Sequence, residues 1–456
     1  MKDKIIIIGA GISGLSAGWN LINNNIKVEI FEAKPFIGGL AASIKEDGYY
    51  LDHGPHSLYT YDQEVLDMVL GLFDKKIDPR KRTVKFCYKK SYLDYPLTLK
   101  NVLFQMGTFS CIKIAWSFLA SKLFFKRPLD PQHKETVEDW AISNFGRHLY
   151  EAFFKPYTEQ FWKISCKELS PRSLPTHTRM SFINTLKVLL NKNTETMKRS
   201  LIEKEMLSTY YPDTGFGEIP EKIADIVEKS GGNIHLNSKV IKISMLPDKK
   251  IRVHYVSNDE HKAIGADRVI STIPITELIK IMDPIPTREI LDSADKLGFL
   301  SLLILGMGTS KQDILNCSYM YQLNRPYNRI TELNKFSIHT SPEGKNILLA
   351  EMTCLKNSSL WGMDKKELFD ICIGALAEQG FLMPGDAERL FLIKIPNAYP
   401  IYFKDYKTNL DNIIDYLKEY KNLTTLGRLG EYMYMDADDC IRNSINISNP
   451  LIKNVY

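Results

Sequence analysis

The segment IIIIGAGISGLSAGWNL, residues 5–21, constrains this chain more than any other. Four consecutive isoleucines read as a buried parallel strand. Leu15–Asn23 reads as a helix and Lys27–Phe31 as a second, alternating strand, so the chain opens on a βαβ unit. Gly9, Gly11 and Gly14 stand between the first strand and the helix. In such a turn the first glycine allows the tight bend, the second lets a pyrophosphate reach the backbone, and the third lets helix and strand pack closely. Unpaired N–H groups at the helix start then face phosphate charge.

Glu32 closes the second strand, 18 residues beyond Gly14. A carboxylate there accepts hydrogen bonds from ribose hydroxyls and repels a 2′-phosphate, which argues against NADP. The continuation EAKPFIGGLAAS adds Gly38 and Gly39 and resembles the second glycine motif of the glutathione-reductase-like FAD proteins, where backbone N–H groups meet the pyrophosphate. No second strand-associated G-x-G-x-x-G follows, so no dedicated nicotinamide domain is expected. Near the end, GRLGEYMYMD at 427–436 offers Gly427 and Gly430 for a close helix approach and Arg428 for charge beside pyrophosphate or isoalloxazine. Together the three segments point to one FAD held non-covalently, since no His or Cys motif for a covalent link is evident.

Bulk properties exclude other classes. The chain has 59 basic and 54 acidic residues, a net charge of +5, which implies no nucleic acid. Cys87, Cys111, Cys166, Cys317, Cys354, Cys372 and Cys440 include no C-x-x-C pair, so neither a disulfide framework nor a metal site is expected. The Ile5–Ile8 run is too short for a signal-peptide core, and a cytoplasmic protein is the expectation. Ile112–Phe125, the most apolar long stretch, falls short of the ~20 residues that cross a bilayer, and packing in the core is its expected fate. Oligomeric state is left open; a homo-oligomer is compatible with everything above.

The fold class expected is α/β: a Rossmann-type, glutathione-reductase-like FAD-binding domain interleaved with a helical insertion and an α+β substrate domain. Residues 1–83 form the first part of the FAD domain. Residues 84–207 form a mainly helical insertion, 208–294 the second FAD part, 295–398 a sheet-bearing substrate domain, and 399–456 the third FAD part.

Four further segments resemble the UDP-galactopyranose mutase group and its relatives in surface-polysaccharide gene sets, within the wider amine oxidase and protoporphyrinogen oxidase superfamily. DHGPHSLYT at 52–60 is similar to the mutase loop that lies against the flavin, which implies His56 beside the isoalloxazine; bacterial mutases carry a second His where this chain has Tyr59. KPYTEQFWKISCKELSPRSLPTHTR at 155–179 resembles the stretch in which a Trp packs on the nucleotide base and an Arg meets substrate. Trp162 would take the first part and Arg179 or Arg172 the second, and spacing does not fix which. RPYNRITELNKFS at 325–337 matches the mutase pattern closely and implies substrate roles for Tyr327 and Arg329. AYPIY at 398–402 and YMYMD at 432–436 put Tyr399, Tyr434 and Asp436 on positions that bind diphosphate or flavin.

That residue set suits a nucleotide-sugar diphosphate, because arginine offers a rigid two-pronged fork and tyrosine a neutral donor. The resemblance implies that reduced flavin attacks the anomeric carbon through N5 and expels the diphosphate, the sugar then reclosing as a furanose with no net redox. An external reductant, NAD(P)H or another, would prime the flavin. His56, Arg329 and Arg179 are the residues given catalytic parts. The rival class is an FAD-dependent oxidoreductase, an oxidase or desaturase, in which the helical insertion forms an apolar tunnel.

Overall fold

A computed structural model describes residues 4–88, 91–94, 108–124, 135–174, 208–248 and 250–453. Its first layer is built on the opening unit. Strand β1 (Ile5–Ile8) is buried throughout, as an isoleucine run covered on both faces must be. It is followed by helix α1 (Ile12–Asn23) and strand β2 (Val28–Phe31). These strands lie in a five-stranded sheet ordered Leu423–Thr425, Arg268–Ser271, β1, β2, Asn233–His235. Every pairing in it is parallel. The sheet therefore gathers strands from three distant parts of the sequence, and the last helix, Ala437–Lys453, packs on α1.

A second sheet of seven strands forms the other half. Its order is Arg389–Ile401, Gly298–Thr309, Asn346–Cys354, Arg329–Glu332, Tyr319–Gln322, Val84–Tyr88, Ser91–Asp94. The architecture is the α/β arrangement expected, a Rossmann-type layer beside a sheet-bearing one. The segment expected to be mainly helical departs from that at its start, where Val84–Tyr88 pairs in parallel with Tyr319–Gln322 and turns back into Ser91–Asp94. Alternation explains the difference: Val84 and Phe86 face the core from a strand whose β-branched and aromatic residues suit a pleat. The 13-residue strand Arg389–Ile401 and the hairpin Ile251–Ser257 with Glu260–Ala266 are also additions.

The helix Thr108–Phe124 corrects a second expectation. Ile112, Trp116, Leu119 and Leu123 recur on one helical face and are exposed among the described residues, whereas Ile114 on the other side is buried. Among the described residues no helix is long and apolar enough to cross a membrane. Cys87, Cys166, Cys317, Cys354, Cys372 and Cys440 are buried and form no disulfide among the described residues.

Candidate active site

Two cavities hold most of the expected residues. The first is lined by the glycine turns: Gly9, Gly11, Glu32 and Gly39 from the opening unit, His53 and His56 from the loop after Tyr49–Asp52, and Gly427, Arg428 and Asp436 from the far end. Close backbone approach makes it. A Cβ on Gly14 would lie 2.0 Å from the carbonyl oxygen of Gly9, so α1 packs against the turn only because residue 14 has none. Gly11 and Gly38 pair as an isolated bridge, and Gly38 N–H donates to the Ala10 carbonyl at 2.8 Å. A Cβ on Gly39 would come within 3.0 Å of the Gly11 Cα, so the two glycine turns leave a cradle that side chains would fill. Glu32 braces the same turn, accepting from Ala10 N–H and from Lys34 N–H, each at 2.9 Å.

The expected residues at the far end converge on this cradle. Gly427 opens a short helical turn, Gly427–Gly430, that lies against Ser13 at the start of α1, and Gly430 packs on the Ser271 carbonyl. Arg428 is held by its own neighbourhood. Its Nε donates to the Met435 carbonyl at 2.9 Å, its Nη2 donates to the same oxygen, and its guanidinium lies 4.7 Å from the Tyr434 ring centroid and 5.8 Å from that of Tyr399. Asp436 accepts from Tyr59 Oη at 3.0 Å and from Tyr434 Oη at 3.2 Å. Tyr59, where bacterial mutases have a His, thus ties its loop to the C-terminal segment.

The second cavity is lined by Tyr157, Phe161, Trp162 and Arg172 from the helical segment and by Tyr321, Asn328, Arg329, Glu351, Tyr399 and Tyr434. The helix Lys155–Trp162 enters through a π-helical turn at Tyr150–Phe154, a feature frequent at functional sites. Trp162 is anchored by Nε1, which donates to the Ser173 carbonyl at 3.1 Å. Tyr399 and Tyr434 stack with ring centroids 6.2 Å apart and planes 9° from parallel.

Arg329 is the centre of this group. It faces Glu351 directly across the antiparallel pairing of its strand with Asn346–Cys354. Nε donates to Oε1 and Nη2 to Oε2, both at 2.6 Å, a bidentate fork in which the arginine side chain is 18% exposed and the glutamate 3%. Tyr319 and Tyr321 flank the guanidinium at 5.4 and 5.8 Å. The Arg82 guanidinium lies 5.7 Å from the Tyr319 ring centroid and 4.7 Å from that of Tyr59.

Gly54 stands beside residues of both cavities. A Cβ built there would lie 3.6 Å from Glu351 Oε2, 3.7 Å from Arg329 Nη2 and 3.7 Å from His56 Nε2. His56 lines the glycine cavity and, like the arginine fork, lies close to Gly54. Burial, then the charges of Arg428 and Arg329, lowers its pKa to about 3, so the imidazole is neutral. Burial raises the Tyr399 phenol above its ordinary value, which keeps it a neutral donor.

Residues 12–386 match the family described as flavin containing amine oxidoreductase. The chain belongs to that family. Its members include relatives of two kinds. The chain is 24% identical to a probable UDP-galactopyranose mutase of Klebsiella pneumoniae over 100% of its own length and 96% of the relative's. It is 21% identical to a coproporphyrinogen III oxidase of Bacillus subtilis over 90% of both chains. Among solved structures, a reduced UDP-galactopyranose mutase superposes with a TM-score of 0.80 at 19% identity, covering 100% of this chain and 94% of that one. The likeness to the mutase group expected from the motifs is therefore found, and this flavin-family chain shares that fold throughout.

Most of the expected site residues lie together: Gly9, Gly11, Glu32, Gly39, His56, Arg428 and Asp436 around one cavity, Trp162, Arg172, Arg329, Tyr399 and Tyr434 around the other. Gly14, Gly38 and Gly430 stand behind the first as packing glycines. Tyr327 does not join them. It is fully buried in the core beneath the seven-stranded sheet, its Oη donating to Gln379 Oε1 at 2.7 Å. Arg179 lies outside the described residues. Glu351, Tyr157, Tyr321, Arg82 and His53 were not singled out by sequence. Glu351 had a readable signal, a lone carboxylate within the apolar run NILLAEMTC that burial obliges to find a cation.

Proposed function

We propose that this protein is an FAD-dependent nucleotide-sugar pyranose/furanose mutase-like enzyme serving surface-polysaccharide synthesis. The observation that carries the reading is the neighbourhood of Gly54, which stands beside residues of both a dinucleotide-shaped glycine cradle and a cavity lined by arginine and tyrosine. Residues present in the cradle fit FAD. Gly11 and Gly39 leave room for pyrophosphate, Glu32 stands at the ribose end with lone pairs to spare, and Gly427, Arg428, Gly430 and Asp436 close the other end. Reduced flavin, when bound, supplies a nucleophilic nitrogen for the anomeric carbon and needs an external reductant, NAD(P)H or another, only for priming.

The chain's own residues do the rest. Trp162 offers a ring face to a nucleotide base, and Tyr399 donates a hydrogen bond to a diphosphate oxygen without adding charge, while Tyr434, whose hydroxyl donates to Asp436, stacks on Tyr399 in the same cavity. Arg329, preset by Glu351, and Arg172 stabilise the charge that grows on the departing diphosphate. Arg179 is a further candidate for that part. Neutral His56 presents a buried imidazole nitrogen without a hydrogen-bond partner among the described residues, able to exchange a hydrogen bond with a sugar hydroxyl while staying uncharged.

The test is anaerobic incubation of the dithionite-reduced protein with UDP-galactopyranose and other nucleotide sugars, with chromatography of the products. Interconversion over many turnovers without stoichiometric reductant is the expected result. The relatives that oxidise porphyrinogens favour the rival reading, oxidase or desaturase, and oxygen consumption with a porphyrinogen or amine substrate but no sugar conversion would establish it in place of the mutase.

A further inference from the structure

His53 sits three residues before His56 and is 4% exposed. Its Nδ1 lies 2.8 Å from the carbonyl oxygen of Gly39. A carbonyl only accepts, so Nδ1 carries the proton, and in the neutral ring Nε2 is then an acceptor. Burial keeps the ring neutral, lowering its pKa to about 4. The edge of the Phe36 ring fixes its orientation, with centroids 5.8 Å apart and planes 84° from parallel. Among the described residues Nε2 is buried and has no hydrogen-bond partner, although His53 lines the glycine cavity. A buried acceptor without a donor is rare in folded chains and marks the place of a missing partner.

We infer that His53 Nε2 accepts a hydrogen bond from a ribityl hydroxyl of bound FAD. The inference rests on the reading of the glycine cavity as an FAD site. Phosphate oxygens and flavin carbonyls are excluded as partners because they are themselves acceptors. The donors of the dinucleotide are its hydroxyls, the adenine amine and the flavin N–H. Tethering to Gly39 places His53 at the cradle where Gly39 and Gly11 face each other. Covalent order then decides, since the ribityl hydroxyls adjoin the pyrophosphate, whereas the adenine amine and the flavin N–H lie beyond a ribose or most of the isoalloxazine. Glu32, bonded to Ala10 N–H, serves the adenosine side of the same turn. His53 is in this view a positioning residue that fixes the ribityl chain and through it the flavin.

Apoprotein titrated with FAD, and with FAD analogues lacking one ribityl hydroxyl at a time, tests this through flavin fluorescence. The parent should bind one analogue about tenfold more weakly than FAD, the size of one buried neutral hydrogen bond. His53→Phe, which keeps a ring of similar bulk, should bind FAD about tenfold more weakly than the parent and cease to discriminate against that analogue. His53→Gln should recover part of the affinity through its amide oxygen. In the parent, nitrogen NMR of the histidines should show the His53 Nε2 signal moving upfield when FAD is added, a readout that stands even if a variant does not fold. An unmoved Nε2 signal, or His53→Phe equal to the parent in FAD affinity and in discrimination, would overturn the inference. A parent chain that does not bind FAD at all would instead overturn the reading of the cavity, and the inference with it.

Discussion

Arg329→Lys keeps the charge and removes the fork, which makes it the sharpest probe of the proposed site. In the structure Nε and Nη2 each bond one oxygen of Glu351 at 2.6 Å, and Arg329 also lines the cavity. An ammonium cannot satisfy both carboxylate oxygens from one direction and still present a donor to a ligand. Losing one charge-assisted hydrogen bond at a carboxylate this buried should cost about 1.5–3 kcal/mol of folding stability, read as a lower urea midpoint. The catalytic loss should be larger. If the same group stabilises charge on a departing diphosphate, about 2–4 kcal/mol of transition-state stabilisation disappears, roughly 30- to 1000-fold in kcat/KM, with FAD content preserved. Both quantities are measured on one preparation, by urea unfolding and by initial rates with a converting nucleotide sugar. A stability loss accompanied by less than about a threefold fall in kcat/KM would refute the argument. Arg329 would then be a structural partner of Glu351 and nothing more.

Gly14→Ala should destroy FAD retention and destabilise the chain by about 1–3 kcal/mol, because its Cβ would sit 2.0 Å from the Gly9 carbonyl oxygen; purification with a full complement of flavin would remove the turn from the site. Tyr59→Phe removes one of two phenols that donate to Asp436 and should cost about 0.5–1.5 kcal/mol by thermal unfolding while leaving FAD bound; loss of the flavin would mean that Tyr59 does more than brace the loop. Acid should weaken the fold through His53, whose pKa is lowered from 6.5 to about 4 in the folded chain by burial. The unfolded chain then binds the extra proton first, so stability is fully present above about pH 6.5 and is lost, by about 3 kcal/mol, as pH falls toward 4. His53→Gln should lessen the fall of urea midpoints across that window, the part that remains belonging to His56, and an unaltered pH profile would show that the ring of His53 is not held neutral.

Legibility in the sequence followed distance along the chain. The βαβ unit was readable because its strand, glycine turn, helix and closing Glu32 all fall within residues 5–32, where propensity and spacing act locally. Strand order was not readable: Arg268–Ser271 and Leu423–Thr425 complete the parallel sheet from hundreds of positions away, and nothing in four apolar residues names their neighbour. The fork of Arg329 shows the same limit at the level of one residue. Its motif was visible, but its partner is set by the register of two strands separated by a loop, and only the pairing Arg329↔Glu351 reveals it. Tyr327 shows how a correct motif can still misplace a side chain. Two residues apart within a strand would mean one shared face, but the strand begins at Arg329, so alternation does not reach back to Tyr327, which turns into the core.

The arginines also bear on how the proposed site would work. Cations gathered to receive a diphosphate repel one another while the cavity holds no anion, and a chain that left them loose would spend binding energy ordering them. Here Arg329 is locked by a carboxylate, and Arg428 by backbone carbonyls and two stacked tyrosines. Each restraint uses donors or faces on one side of the guanidinium and fixes its plane. Rigid placement of this kind means that little reorganisation is needed when negative charge develops, the condition under which electrostatic stabilisation is most effective. The same rigidity explains why Glu351, the bidentate partner of Arg329, belongs with the functional set: Glu351→Gln would leave the arginine in place with a weaker hold and an uncompensated charge. If rigidity matters, that change should lower kcat more than it raises KM, and an effect confined to KM would show that Glu351 only tunes ligand affinity.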